Sequence, residues 1–74
     1  MSKQLLIHFT LATSSIVEVY LTDVTGRRIK TIAEGNFAAG EHEAILQKGN
    51  LRAGLYLVQL KTNTTTSVNK ILIL

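Results

Sequence analysis

Two histidines, His8 and His42, are the residues of this 74-residue chain that most readily invite chemistry. His42 stands between Glu41 and Glu43, a donor set that would suit a divalent cation. A strand, however, sends Glu41 and Glu43 to the face opposite His42, so these three side chains cannot close on one ion. We read His42 as a solvated or edge histidine and expect no metal site. Asp23 is the one carboxylate expected at a strand end. Placed before Val24-Thr25-Gly26, it can accept bonds from backbone N–H groups two residues on and fix a turn, which accounts for it better than catalysis does. No Gly-x-Ser-x-Gly, phosphate loop or Gly-x-Gly-x-x-Gly gives any hydroxyl a partner. No catalytic residue and no cofactor are therefore expected. Asn63-Thr64-Thr65 matches a glycosylation sequon, a pattern that a Thr-rich loop produces by chance.

Arg27, Arg28 and Lys30 form the one basic cluster in the sequence. On a regular strand Arg28 and Lys30 share a face and Arg27 points away. Nucleic-acid binding would also need aromatic rings beside the charges. Aromatics are only 5% of the chain, and Tyr20 is the one suitable neighbour. The cluster thus fits a solvated face or a protein contact. The net charge of +3 is mild and agrees with that reading.

The elements that position these residues are strands. Leu5, Ile7, Phe9 and Leu11 alternate with His8 and Thr10, and Val17, Val19 and Leu21 alternate with Glu18, Tyr20 and Thr22. Period-two alternation marks strands with one buried face. Tyr56, Val58 and Leu60 form a third stripe, and Leu55 and Leu57 on its reverse predict a central strand covered on both sides. The strands expected are 4–11, 16–22, 27–33, 41–47, 54–61 and 67–74, with a short edge strand over 36–39. Gly26, Gly35, Gly40, Gly49 and Gly54 fall at the expected boundaries. Ser15 and Glu18 have the spacing of a helix capping box, but the β-branched Ile16-Val17 pair and the alternation after it favour a strand. Turns at this spacing predict an all-β antiparallel sandwich or small barrel.

Seventy-four residues make one small domain, which buries roughly 60% of the surface its unfolded chain exposes. There is no cysteine to add a disulfide. With 46% hydrophobic and 18% charged residues the balance is that of a folded domain. The longest apolar runs, Leu5 to Ile7 and Ile71 to Leu74, fall far short of the ~20 residues that cross a bilayer, so no membrane insertion is expected. Met1-Ser2-Lys3 leads into alternation and not into a signal core. Met1 is read as an expression start, with the chain a piece of a longer protein.

Three segments carry a further pattern: Asp23-Val24-Thr25-Gly26-Arg27, Asn50-Leu51-Arg52-Ala53-Gly54-Leu55-Tyr56, and the closing Lys70-Ile71-Leu72-Ile73-Leu74. Together with Ala39, Gly40 and His42, their order and spacing resemble the C-terminal sorting domain, type A, of proteins exported by the type IX (Por) secretion system of Bacteroidetes. Arg52 stands where that family usually has proline, and Thr22 where an aromatic commonly precedes the aspartate. The resemblance covers nearly the whole chain. It implies an immunoglobulin-like antiparallel β-sandwich of about six or seven strands, with residues 1–74 forming a single C-terminal sorting domain.

It implies a non-catalytic address label behind an N-terminal cargo domain. The cargo reaches the periplasm, the type IX translocon recognises the folded domain, and a sortase-like peptidase removes it as the cargo reaches the cell surface. Asp23, Gly26, Arg27, Gly40, Leu51, Gly54, Tyr56, Lys70 and Leu72 are the recognition candidates that the resemblance implies. The competing expectation is a passive immunoglobulin-like module of an extracellular protein, similar to flagellar-hook-capping domains. A carbohydrate-binding sandwich would need more exposed aromatics than this chain has.

Overall fold

The computed structural model describes residues 4–74. Met1-Ser2-Lys3, the start from which the lack of a signal core was read, lies outside the described residues. The six strands are β1 (Gln4–Leu11), β2 (Ser15–Thr22), β3 (Arg28–Phe37), β4 (Gly40–Gln47), β5 (Gly54–Lys61) and β6 (Thr66–Ile73), with no helix among the described residues. All pairings are antiparallel. One sheet has two strands, β1-β4, and the other has four, in the order β3-β2-β5-β6. The result is the all-β antiparallel sandwich compatible with an immunoglobulin-like fold.

The period-two stripes form its core. Val17, Val19 and Leu21 of β2 are 1%, 0% and 0% exposed. They lie in one cluster with Phe9 and Leu11 of β1, Ala44 and Leu46 of β4, and Val58 of β5. Burying a side chain of this size is worth roughly 1.5–3 kcal/mol. A chain of this length is stable by only ~4–11 kcal/mol in total, so a few such residues decide whether it folds. Ser15, read for its capping spacing, opens β2, and its Oγ accepts the Asn63 N–H at 3.1 Å.

Three local expectations are corrected. First, β3 runs on to Phe37, so Gly35 lies inside a strand opposite Val17 and the separate edge strand over 36–39 does not exist. Second, the β2–β3 register slips between Val19 and Tyr20 and again between Leu21 and Thr22. Each extra residue resets the alternation. Arg28 therefore lies opposite Thr22 and Lys30 opposite Leu21, which places them on different faces. Third, β5 is central, between β2 and β6, but covered on one face only. The two-stranded sheet packs against its inner side, and no third layer backs the other among the described residues. Leu57 is accordingly half-buried and Leu55 exposed.

Strand alternation holds at the histidines. His42 lies over Phe9, with ring centroids 5.4 Å apart, and meets the edge of Phe37 at 5.1 Å. Its Nε2 is 2.7 Å from the Ala38 carbonyl. Glu41 and Glu43 are exposed, and Glu43 lies 3.7 Å from His8.

Gly54 opens β5 with φ +154°, and a Cβ built there would meet nothing within 4 Å. Its constraint is thus conformational and not steric crowding. Gly49 has φ +50°, within the left-handed region that asparagine tolerates. We expect Gly54→Val to cost about 1–3 kcal/mol in urea denaturation and Gly49→Asn clearly less. Equal losses would contradict this account of the strand start.

Candidate functional site

Every strand runs between two ends of the sandwich. At one end lie the β2–β3 turn (23–27), the β4–β5 corner (48–53) and Leu74; at the other lie the connections 12–14, 38–39 and 62–65. This topology gathers most of the residues singled out in the sequence. Asp23, Gly26, Arg27, Leu51, Gly54 and Tyr56 lie at or beside the first end, and β6 brings Leu72 there with Lys70 behind it. Gly40 stays apart: it pairs with Leu11 at the other end.

The β2–β3 turn is built around one carboxylate oxygen. Asp23 Oδ1 accepts the Thr25 N–H at 2.9 Å, the Thr25 hydroxyl at 2.6 Å and the Arg27 N–H at 3.0 Å. The main chain closes around it, with Gly26 N–H donating to the Asp23 carbonyl and Asp23 N–H to the Arg27 carbonyl, both at 3.0 Å. The Thr25 hydroxyl, and then the Arg27 N–H, hold the Asp23 carboxyl below its ordinary range.

The β4–β5 corner is closed by two bonds. Leu51 N–H donates to the Lys48 carbonyl at 2.9 Å. The Tyr56 hydroxyl donates to the Arg52 carbonyl at 2.7 Å. The Tyr56 ring packs against the core, so the bond ties the loop to the sheet. Immunoglobulin-like sandwiches use a tyrosine hydroxyl in the same way. The four-residue spacing from Arg52 to Tyr56 was its only trace in the sequence.

The outer face of the four-stranded sheet divides in two. Over β2 and β3 it is polar. Arg28 makes a two-pronged pair with Glu18, at 3.0 and 3.2 Å, and lies 3.9 Å above the Tyr20 ring. Arg28 thereby holds the Glu18 carboxyl below its usual range. Tyr20 donates to Gln59 Oε1, and Gln59 Nε2 donates to the Thr22 hydroxyl. Over β5 and β6 the same face is apolar. Leu55 pairs with Leu72, Leu57 with Lys70, and Gln59 with Val68. Leu55, Val68 and Leu72 are 46%, 52% and 62% exposed, whereas Ile73 on the inner face of the same strand is 4% exposed. Contiguous exposed apolar side chains of this kind mark interaction surfaces.

Together, this fold and this surface define a small all-β module whose β5–β6 hairpin has an exposed apolar face. Residues 1–74, the whole chain, match the family model of the secretion system C-terminal sorting domain. The chain belongs to that family, and it is a C-terminal sorting signal of type IX secretion, the export system of Bacteroidetes. Such a signal works with the secretion machinery, follows an N-terminal cargo and directs export toward the cell surface or beyond. No curated protein and no solved structure gives a match to the chain.

The depressed pKa of Asp23 fixes a sign. Its contribution to stability is fully present above the unfolded value of about 4 and is lost as pH falls through the lower folded value. We expect Asp23→Ala to lower the melting temperature at pH 7, with the gap to wild type closing as the pH drops below about 4. A gap that stays constant over that range would contradict the turn assigned to Asp23.

Proposed function

We propose that the type IX translocon reads this domain folded, through the outward face of the β5–β6 hairpin. In this account residues 1–74 act as one transferable, non-catalytic unit behind an N-terminal cargo. The cargo passes through the periplasm, and a sortase-like peptidase separates it from the domain at the surface. The observation that carries the proposal is the split of β6, with Ile71 and Ile73 facing the core and Val68, Lys70 and Leu72 facing out. A receptor that covers Val68 and Leu72 gains up to roughly 1.5–3 kcal/mol for each. Lys70 lies between them, opposite Leu57, where its stem can follow the apolar surface while its ammonium meets an acidic group.

Asp23, Gly26, Gly54 and Tyr56 enter this reading as residues that hold the ends of the hairpin and its neighbour in place. Arg27 and Leu51 belong to the same two loops, and Gly40 marks a turn far from the proposed surface.

Fusion of residues 1–74 to a reporter in a type IX-competent bacterium tests the proposal through surface display. We expect Lys70→Glu to leave stability within about 0.5 kcal/mol, as surface changes do, and to reduce secretion of the reporter. Unchanged secretion would remove Lys70 from the recognised surface. Loss of stability in step with secretion would make its role one of folding.

A further inference from the structure

The two sheets are unequal. The two-stranded sheet covers a four-stranded one, and among the described residues β1 is hydrogen-bonded to β4 alone. Its other edge is open for eight residues, Gln4–Leu11, and carries no proline, lysine or other charged residue apart from His8. Edges are ordinarily guarded by such residues, and an unguarded one is a template for another strand. At the Gln4 end of this edge lies a groove of about 300 Å³, lined by Leu5 and Leu46 from the two-stranded sheet and by Leu72 and Ile73 from β6. Lys48 stands at its rim and donates to the main-chain oxygen of Leu74 at 2.8 Å. An ammonium has three donors, so two remain free for an anion.

Charge is also sorted along the molecule. Arg27, Arg28, Lys30, Lys48, Arg52 and Lys70 lie on the groove's half of the sandwich. Glu18, Glu34, Glu41 and Glu43 lie toward the other half. Asp23, the carboxylate at the basic end, is taken up by its own turn. Among the described residues, Arg28 is paired with a side-chain carboxylate and Lys48 with the main-chain oxygen of Leu74, and no salt bridge engages the other four cations.

We propose that this edge and groove take up an extended, acidic polypeptide segment from a partner protein. The segment adds to β1 through main-chain hydrogen bonds and sets alternate apolar side chains into the groove, with its carboxylates at the Lys48 end. This is strand addition, in which the backbone gives affinity and the pockets give selectivity. A second copy of the chain fits less well. Pairing of β1 with the β1 of a second copy brings no carboxylate to Lys48, and the edge strands that do carry glutamates, β3 and β4, hold them at the end away from the basic loops. The groove shares Leu72 with the outward face of β5 and β6, but the β1 edge and Lys48 lie outside that face, so Lys48→Glu and the β1 amides test this assignment while Lys70→Glu tests the other.

The probe is a synthetic peptide of alternating valine and threonine ending in two aspartates, which lie by Lys48 when the peptide runs antiparallel to β1. Titrated into the isotope-labelled 1–74 chain, it should shift alternate β1 amides and slow their hydrogen exchange. Affinity should fall about tenfold in Lys48→Glu, and not in Lys61→Glu at the far end. It should also fall with salt. Equal binding of a peptide ending in two lysines would overturn the proposal. So would shifts confined to Leu55 and Leu57, or a dimer in sedimentation equilibrium that the peptide does not disperse. Lys48-dependent binding to phosphatidylglycerol vesicles without peptide binding would reassign the basic end to a membrane surface.

Discussion

The pleat of β6 is the constraint on which the rest of the structure depends. Among the described residues the strand is hydrogen-bonded on one side only, to β5, and its hold on the domain comes from that ladder and from Ile71 and Ile73 turned inward. Because side chains alternate strictly along a strand, fixing those two inward fixes Val68, Lys70 and Leu72 outward. A one-residue slip would exchange the two sets. The Gly54–Ile73 and Leu55–Leu72 pairings set this register at one end, and the Lys61–Thr66 pairing sets it at the other. The Tyr56 bond to Arg52 anchors the strand against which β6 is measured.

A second constraint is size. With so small a core, the domain cannot cover both faces of a four-stranded sheet. It covers one and leaves the other to solvent, polar side chains or a partner. Over β2 and β3 that outer face is closed by the Arg28, Glu18, Tyr20, Gln59 and Thr22 network. Over β5 and β6 none of the described residues closes it. For a sorting signal this is a reasonable division, since a face that needs a partner is one a partner can read.

Most of the strands were legible because they obey a period of two and are bounded by turn residues. Asp23 was legible for a related reason: the distance from its carboxylate to the next N–H groups is a local property of the sequence. The failures were non-local. The slips opposite Val19 and Leu21 depend on how β3 fits β2, and no spacing within Arg28–Phe37 announces them. The exposure of Leu55 depends on how many strands the facing sheet has. The convergence of Lys48 and Arg52 with the Arg27 cluster depends on chain topology, so the basic end was invisible where only one basic run could be seen. The candidate residues were legible as a motif, and the two faces of β6 as an alternation of Val68, Lys70 and Leu72 against Ile71 and Ile73; that Gly40 lies at the opposite end from the other candidates was not.

The most direct test compares the two faces of β6 at adjacent positions. Leu72→Ala and Ile73→Ala remove similar apolar groups from opposite sides of one strand end. Urea denaturation and reporter secretion should be measured for both. The account predicts that Ile73→Ala loses about 2 kcal/mol or more and secretion with it. Leu72→Ala should keep its stability within about 0.5 kcal/mol and still lose secretion. Full secretion of Leu72→Ala, or secretion that tracks stability alone across the pair, would contradict recognition through the outward face.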